Sequence, residues 1–205
     1  MLNVAATARH TEAEGPGLRY ALWVQGCPMR CPGCCNPHYL EDKQAQLRSV
    51  ESLVEDILAT PDIEGVTLIG GEPFWQAQGL AALAKKVREA GLSVMVFTGF
   101  TLKFIRKQDR PDWNALLAQV DLLVDGTYIE SKRVTDRRWI GSSNQKEHFL
   151  TPRYAHLQQS SAGWDEGVNT IELRMRGNEV FINGYPEQSI IDLAAASIKP
   201  VKKTP

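Results

Sequence analysis

Four short apolar runs, each ended by a polar block, set the frame for this chain. They are residues 18–25 (L-R-Y-A-L-W-V-Q), 65–69 (G-V-T-L-I), 92–98 (L-S-V-M-V-F-T) and 120–124 (V-D-L-L-V). Each is too short for a helix and rich in β-branched, aromatic or other apolar residues, so each reads as a strand. Segments of helical period lie between them. Ser49 can cap a helix whose apolar positions are Val50, Leu53, Val54, Ile57 and Leu58. A second helix carries Leu80, Leu83, Ala84 and Val87 on one face and stops at Gly91. Residues 101–107 and 112–119 read as two more, with Pro111 suited to the turn between them.

Apolar strands alternating with helices predict βα units around a parallel sheet, an α/β fold. Such sheets bind ligands at the carboxyl ends of their strands. The loop after residue 25, G-G-E-P (70–73), T-G-F (98–100) and D-G-T (125–127) each follow a strand, so all four are expected on one rim. A complete eight-stranded barrel takes about 250 residues. The repeating part here, 18–150, is too short for that, and an open, partial (β/α) barrel with a gap in its side is expected. After residue 150 the pattern changes. Residues 171–176 and 179–183 flank Gly177-Asn178 as a C-terminal β-hairpin. Residues 187–197 read as a short final helix and K-P-V-K-K-T-P as a frayed tail. The expected division is a core domain, 1–150, and a C-terminal extension, 151–205.

All four cysteines lie in one nine-residue window: Cys27, Cys31, Cys34 and Cys35 in G-C-P-M-R-C-P-G-C-C-N-P. A disulfide scaffold would spread them along the chain; a metal or iron–sulfur centre needs them together. The spacing C-x3-C-x2-C brings three thiolates from one loop. A cubane cluster has four irons, so three protein thiolates leave one iron open to a non-protein ligand. Zinc on the same cysteines, with His38 or Cys35 as fourth ligand, is the alternative. It does not predict the strand-end blocks.

The net charge of −1 gives no electrostatic case for nucleic acid or anionic membrane. The first residues show no apolar core with a cleavage site, and no apolar run is long enough to span a bilayer. A cytoplasmic location is expected, where thiols stay reduced and available to metal.

The blocks G-P-G-L-R (15–19), Q-G-C-P-M-R-C-P-G-C-C-N-P (25–37), L-I-G-G-E-P (68–73), V-F-T-G-F (96–100), L-L-V-D-G-T-Y-I-E (122–130) and W-I-G-S-S-N-Q (139–145) occur in this order. Together they resemble the radical S-adenosylmethionine superfamily, and within it the activating proteins of anaerobic ribonucleotide reductase, which are glycyl-radical-enzyme activases. The resemblance implies a 4Fe-4S cluster, S-adenosylmethionine at its open iron and an external low-potential electron donor. It implies hydrogen abstraction from a glycine of a partner reductase, with no catalytic side chain beyond the cluster and its ligand.

By the same resemblance Cys27, Cys31 and Cys34 match the cluster ligands, and Gly70, Gly71 and Glu72 the segment that receives the methionine amine. Thr98 and Asp125 stand where the family contacts the nucleoside or methionine part. Ser143, Asn144 and Gln145 match a block that faces the cofactor or the partner loop. Cys35 departs from the pattern and reads as packing behind Cys34. Read without the family, Glu72-Pro73 is also good helix-start chemistry. Asp125-Gly126 is also a turn, and Ser142 to Asn144 also a loop or cap. Two other functions stay open: radical modification of a peptide or small molecule, with the extension as recognition element, and a non-enzymatic metal or electron-carrier module.

Overall fold

The computed structural model describes residues 1–158, 170–176, 179–184, 189–190 and 192–193. In chain order the elements are β1 (Leu2–Thr11), β2 (Arg19–Val24), β3 (Gln46–Arg48), α1 (Val50–Leu58), β4 (Gly65–Gly70), α2 (Ala77–Glu89) and β5 (Ser93–Phe97). They continue with α3 (Leu102–Gln108), α4 (Pro111–Leu117), β6 (Leu122–Asp125), β7 (Lys146–Phe149), α5 (Ala155–Gln158), β8 (Glu172–Arg176) and β9 (Glu179–Asn183).

The four expected strands form the middle of one sheet, β2-β4-β5-β6, all parallel. Period-two alternation divides their side chains between two buried faces. Tyr20, Leu22, Val24, Val66, Leu68, Val94, Val96 and Leu123 share a core with α1 to α4. Ala21 and Trp23, then Met95, Leu122 and Val124, point the other way into two smaller clusters. The expected helix signals act as read. Ser49 Oγ accepts from Ser52 N at 3.0 Å, and Gly91 takes a left-handed φ of +86° just after α2. Pro111 sits at the first turn of α4 rather than outside it, where its missing N–H has no helical partner to lose.

The sheet is mixed: strands the sequence did not mark flank the expected parallel four. Its full order is β3-β1-β2-β4-β5-β6-β7. β1 runs antiparallel to β2 and β3, and β7 antiparallel to β6. These three strands lack strong apolar contrast: A-A-T-A-R-H in β1, Q-L-R in β3, K-E-H-F in β7. Their state is set by the neighbour they pair with, which local sequence does not report.

β8 pairs with β9 antiparallel, with Arg176 opposite Glu179. The expected turn, Gly177-Asn178, lies outside the described residues, as does the tail. Of the expected helix 187–197, residues 189, 190, 192 and 193 are described and are helical. Among the described residues no helix is long and apolar enough to cross a membrane.

Candidate functional site

A cavity of about 170 Å³ opens at the carboxyl ends of the parallel strands. Cys27, Cys31 and Cys34 line it, together with Gly70, Gly71 and Glu72 after β4 and Thr98 after β5. The sequence thus placed seven residues on one rim, and the fold brings these seven to one space.

The cysteine loop is clamped at its base. Gly26 N donates to Tyr39 O at 2.9 Å and Cys27 N to Leu40 O at 3.1 Å, so residues 27–40 leave β2 and return to it. Each of the three sulfurs is approached by backbone N–H groups: Met29 and Arg30 at Cys27, Asn36 at Cys34, and at Cys31 Tyr128 from the loop after β6. Burial pushes the Cys27 and Cys31 thiols up against those donors. Cys34 goes the other way. A hydrogen bond from Cys35 pulls it down to about 6, with Asn36 N also donating to its sulfur at 3.4 Å. Cys35 is raised correspondingly by the same bond. Cysteine sulfurs from one short loop, lining one cavity and each met by N–H donors, form a donor set that fits an iron–sulfur cluster. Among the described residues no three His, Cys, Asp or Glu side chains are grouped so as to hold a single metal ion; the three sulfurs are spread around the cavity, as a multi-iron cluster needs and one zinc ion does not. His38 is exposed and does not line the cavity.

Gly70 and Gly71 weld the end of β4 to the start of the loop. Gly71 N donates to Val24 O at 2.7 Å and Glu72 N to Gly26 O at 2.9 Å. A Cβ on Gly70 would come within 2.5 Å of Val24 N, and one on Gly71 would strike the Gly26 carbonyl. Gly70 also holds φ at +110°, so glycine is required twice over.

Glu72 is buried with both oxygens engaged. Oε1 accepts from Phe74 N at 2.9 Å and Thr98 Oγ1 at 2.8 Å, and Oε2 from Gly99 N at 2.9 Å. Burial still outweighs these donors and pushes its carboxyl up to about 7. The carboxylate is therefore a brace between the ends of β4 and β5, and Thr98 is its partner. The helix-start reading also holds, because Phe74 N belongs to a 3-10 turn over Pro73–Gln76.

Asp125 and Asn144 do not line the cavity. Asp125 is buried and accepts from Leu102 N at 2.6 Å, at the first turn of α3, with His148 Nε2 at 2.9 Å from the same oxygen. Asn144 Nδ2 donates to Thr127 O at 2.9 Å. Its neighbour Gln145 does reach the cavity. Gln145 Oε1 accepts from Gly141 N and Ser142 N, and Nε2 donates to Gly126 O at 3.0 Å. The block 141–145 folds the loop after β6 onto the rim.

Sequence reasoning missed three kinds of wall. Met29, Phe97 and Trp139 supply apolar surface. Glu14, just before the quoted G-P-G-L-R, is 7% exposed, and burial pushes it up to about 7, opposed by the Gly184 N–H and reinforced by Glu172. Thr170 and Gly184 bring the C-terminal extension to the same cavity. Arg19, wholly buried beneath, fixes the floor: its Nε donates to Thr67 Oγ1 at 2.7 Å, and Thr67 Oγ1 donates to Glu14 O at 2.7 Å. An acid two residues before a Pro-Gly turn was the available signal for Glu14; nothing local marks Thr170 or Gly184.

A family model described as a 4Fe-4S single cluster domain matches residues 13–148. The anaerobic ribonucleoside-triphosphate reductase-activating protein of Enterobacteria phage T4 is 30% identical over 139 residues, covering 65% of this chain and 85% of that one. The protein of the same name from Vibrio cholerae is 31% identical over 147 residues, 67% of this chain and 92% of that one. A putative glycyl-radical enzyme activating enzyme of Haemophilus influenzae is 34% identical over 99 residues, 47% of this chain and 38% of that one. Among solved structures, QueE from Escherichia coli gives a TM-score of 0.37 at 23% identity, over 49% of this chain and 52% of that one.

Proposed function

The chain belongs to the 4Fe-4S single cluster domain family, beside the anaerobic ribonucleoside-triphosphate reductase-activating proteins, and we propose that it is a radical S-adenosylmethionine activase that acts on a glycine of such a reductase. Cys27, Cys31 and Cys34 would hold the 4Fe-4S cluster; Cys35 is exposed and lines the same cavity rather than packing behind Cys34, and it hydrogen-bonds the Cys34 sulfur. When bound, the cluster and S-adenosylmethionine supply reductive cleavage of the sulfonium and a hydrogen-abstracting radical, with the electron coming from an external low-potential donor.

The chain's own part is to bind, orient and exclude water. Gly70 and Gly71 present backbone without side chains, so the methionine part of the cofactor can approach the end of β4 closely. Glu72 is the acidic member of that segment, fixed by Thr98 and Gly99 so that its charge cannot swing away. Phe97, Trp139, Ile69 and Met29 keep the space apolar. Asp125 and Asn144 act from behind the wall, the first on α3 and the second on Thr127. The four parallel strands with helices on one face support a partial barrel, with 1–150 as core domain and 151–205 as extension.

One observation carries this reading: a C-x3-C-x2-C loop and a Gly-Gly-Glu segment, hydrogen-bonded to each other, line one cavity. The test is anaerobic reconstitution with iron and sulfide, chemical reduction and addition of S-adenosylmethionine. The expected products are 5′-deoxyadenosine and methionine, with an organic radical on the reductase only when both proteins are present. Iron-loaded, reduced protein that forms no 5′-deoxyadenosine overturns the reading. Cleavage without a radical on the reductase moves the substrate to a peptide or small molecule.

A further inference from the structure

We infer that the C-terminal extension carries a built-in stand-in for the substrate glycine: Gly184 occupies, from within the same chain, the place a partner's glycine takes in the cavity. The inference rests on the reading above, in which the substrate is a glycine within a protein segment.

Gly184 lies well beyond the family's matched span of 13–148, yet it lines the same cavity as the three cysteines. Its backbone N–H donates to Glu14 Oε1 at 3.0 Å, a buried carboxylate in the cavity wall. Its φ is +94°, and a Cβ there would strike the carbonyl of Thr170, so this position accepts only glycine. The extension thus presents a glycine backbone, in a glycine-only conformation, to a cavity whose chemistry is hydrogen abstraction from glycine.

The seat is built to be vacated. The segment is held at its periphery by Glu12 N donating to Glu172 Oε1 at 2.8 Å, and by Arg138 Nη2 donating to Thr170 Oγ1 at 3.4 Å. An incoming segment that satisfies Glu14 displaces the stand-in, and an empty-handed protein keeps its site covered.

The test uses a labelled synthetic peptide of this chain's own residues 180–188, titrated by fluorescence anisotropy into the full-length, cluster-loaded protein. Gly184→Ala ejects the internal segment, and peptide affinity should rise about 10-fold over the unsubstituted chain, as when a competing closed state is removed. Glu172→Ala loosens an anchor that does not line the cavity, and should give a gain of about 3-fold with faster hydrogen exchange at the Gly184 amide. A peptide with alanine in place of its glycine should not bind. Equal affinity in all three proteins, or equal binding of the alanine peptide, overturns the inference. Thermal melts show that each variant folds, and Glu172→Ala keeps the test valid if Gly184→Ala does not. The binding readout needs no turnover. Flat binding with 5′-deoxyadenosine still formed sinks the stand-in alone, whereas tight binding without 5′-deoxyadenosine sinks the activase reading.

Discussion

The face of the sheet opposite α1 to α4 has two halves with opposite treatment of buried charge. In the lower half Arg19 is wholly buried, and its donors go to neutral oxygens: Thr67 Oγ1, Ser93 Oγ, Tyr154 OH, Pro16 O and Val66 O. In the upper half Glu14 and Glu72 line an open cavity, and burial pushes both carboxyls up to about 7. Thr67 joins the halves, accepting from Arg19 and donating to the backbone of Glu14. A buried ion is tolerated where each donor finds an acceptor. Space is left where something else is to bind. The lower half is therefore structure, and the upper half is reserved for chemistry.

Emptying the upper half of its sulfur should give the largest effect on function and little on the fold. Cys27→Ala, Cys31→Ala and Cys34→Ala should each abolish cluster absorbance and 5′-deoxyadenosine formation. All three residues are part-exposed on a loop, so the far-ultraviolet dichroism should not change. A variant of this set that retains full iron would break the division. The lower half should answer in the opposite sense. Arg19→Met leaves buried oxygens without their donor and should cost about 3–5 kcal/mol in urea unfolding. It should also loosen Glu14 through Thr67. A loss below 1 kcal/mol would mean that the guanidinium network is incidental.

That division was half legible in the sequence. The parallel strands and α1 to α4 follow from apolar periodicity, which is a local signal. Cys27, Cys31, Cys34, Gly70, Gly71, Glu72 and Thr98 reach one cavity because all of them follow strands of one parallel sheet. Asp125 and Asn144 also sit near the strand ends, but their side chains turn to Leu102 N and Thr127 O. Position along a strand does not decide which way a short polar side chain turns. The Glu14–Gly184 contact joins residues 170 positions apart, and no periodicity encodes such a meeting. The role of Arg19 was hidden for a related reason: an arginine opening a strand reads as exposed until the residues around it are known.

A smaller effect sharpens the contrast through pH. Glu14 stands near 7 in the folded chain against an ordinary 4.5, and the groups facing it are Glu172, Cys35 and Tyr39, none of them cationic. Between those two values the folded state keeps a proton that the unfolded chain has lost. Stability contributed by this site therefore falls as pH rises from 4.5 through 7, by roughly 3 kcal/mol in all. Glu72 adds a slope of the same sign. Glu14→Gln should remove its share, so that the urea midpoint of the variant gains on the unsubstituted chain between pH 5 and pH 8. Parallel pH profiles for the two proteins would show that Glu14 ionises freely and that the upper half is wetter than its burial implies.

The smallest effect tests whether Cys35 belongs to the cluster or to its support. Cys35 lends a hydrogen bond to the Cys34 sulfur, and that bond is the largest influence on Cys34. Adjacent residues on one loop are poorly placed to serve two corners of one cubane, and Cys34 also has Asn36 N at 3.4 Å to keep its sulfur partnered. Cys35→Ala should therefore keep full iron content and 5′-deoxyadenosine formation. Losing one bond of about 1 kcal/mol to a cluster sulfur should move the reduction potential by a few tens of millivolts, to more negative values, because the added electron is then less well stabilised. Potentiometry on the reconstituted variant measures this directly. A fall in bound iron would instead make Cys35 a ligand and reassign the three that the spacing selects.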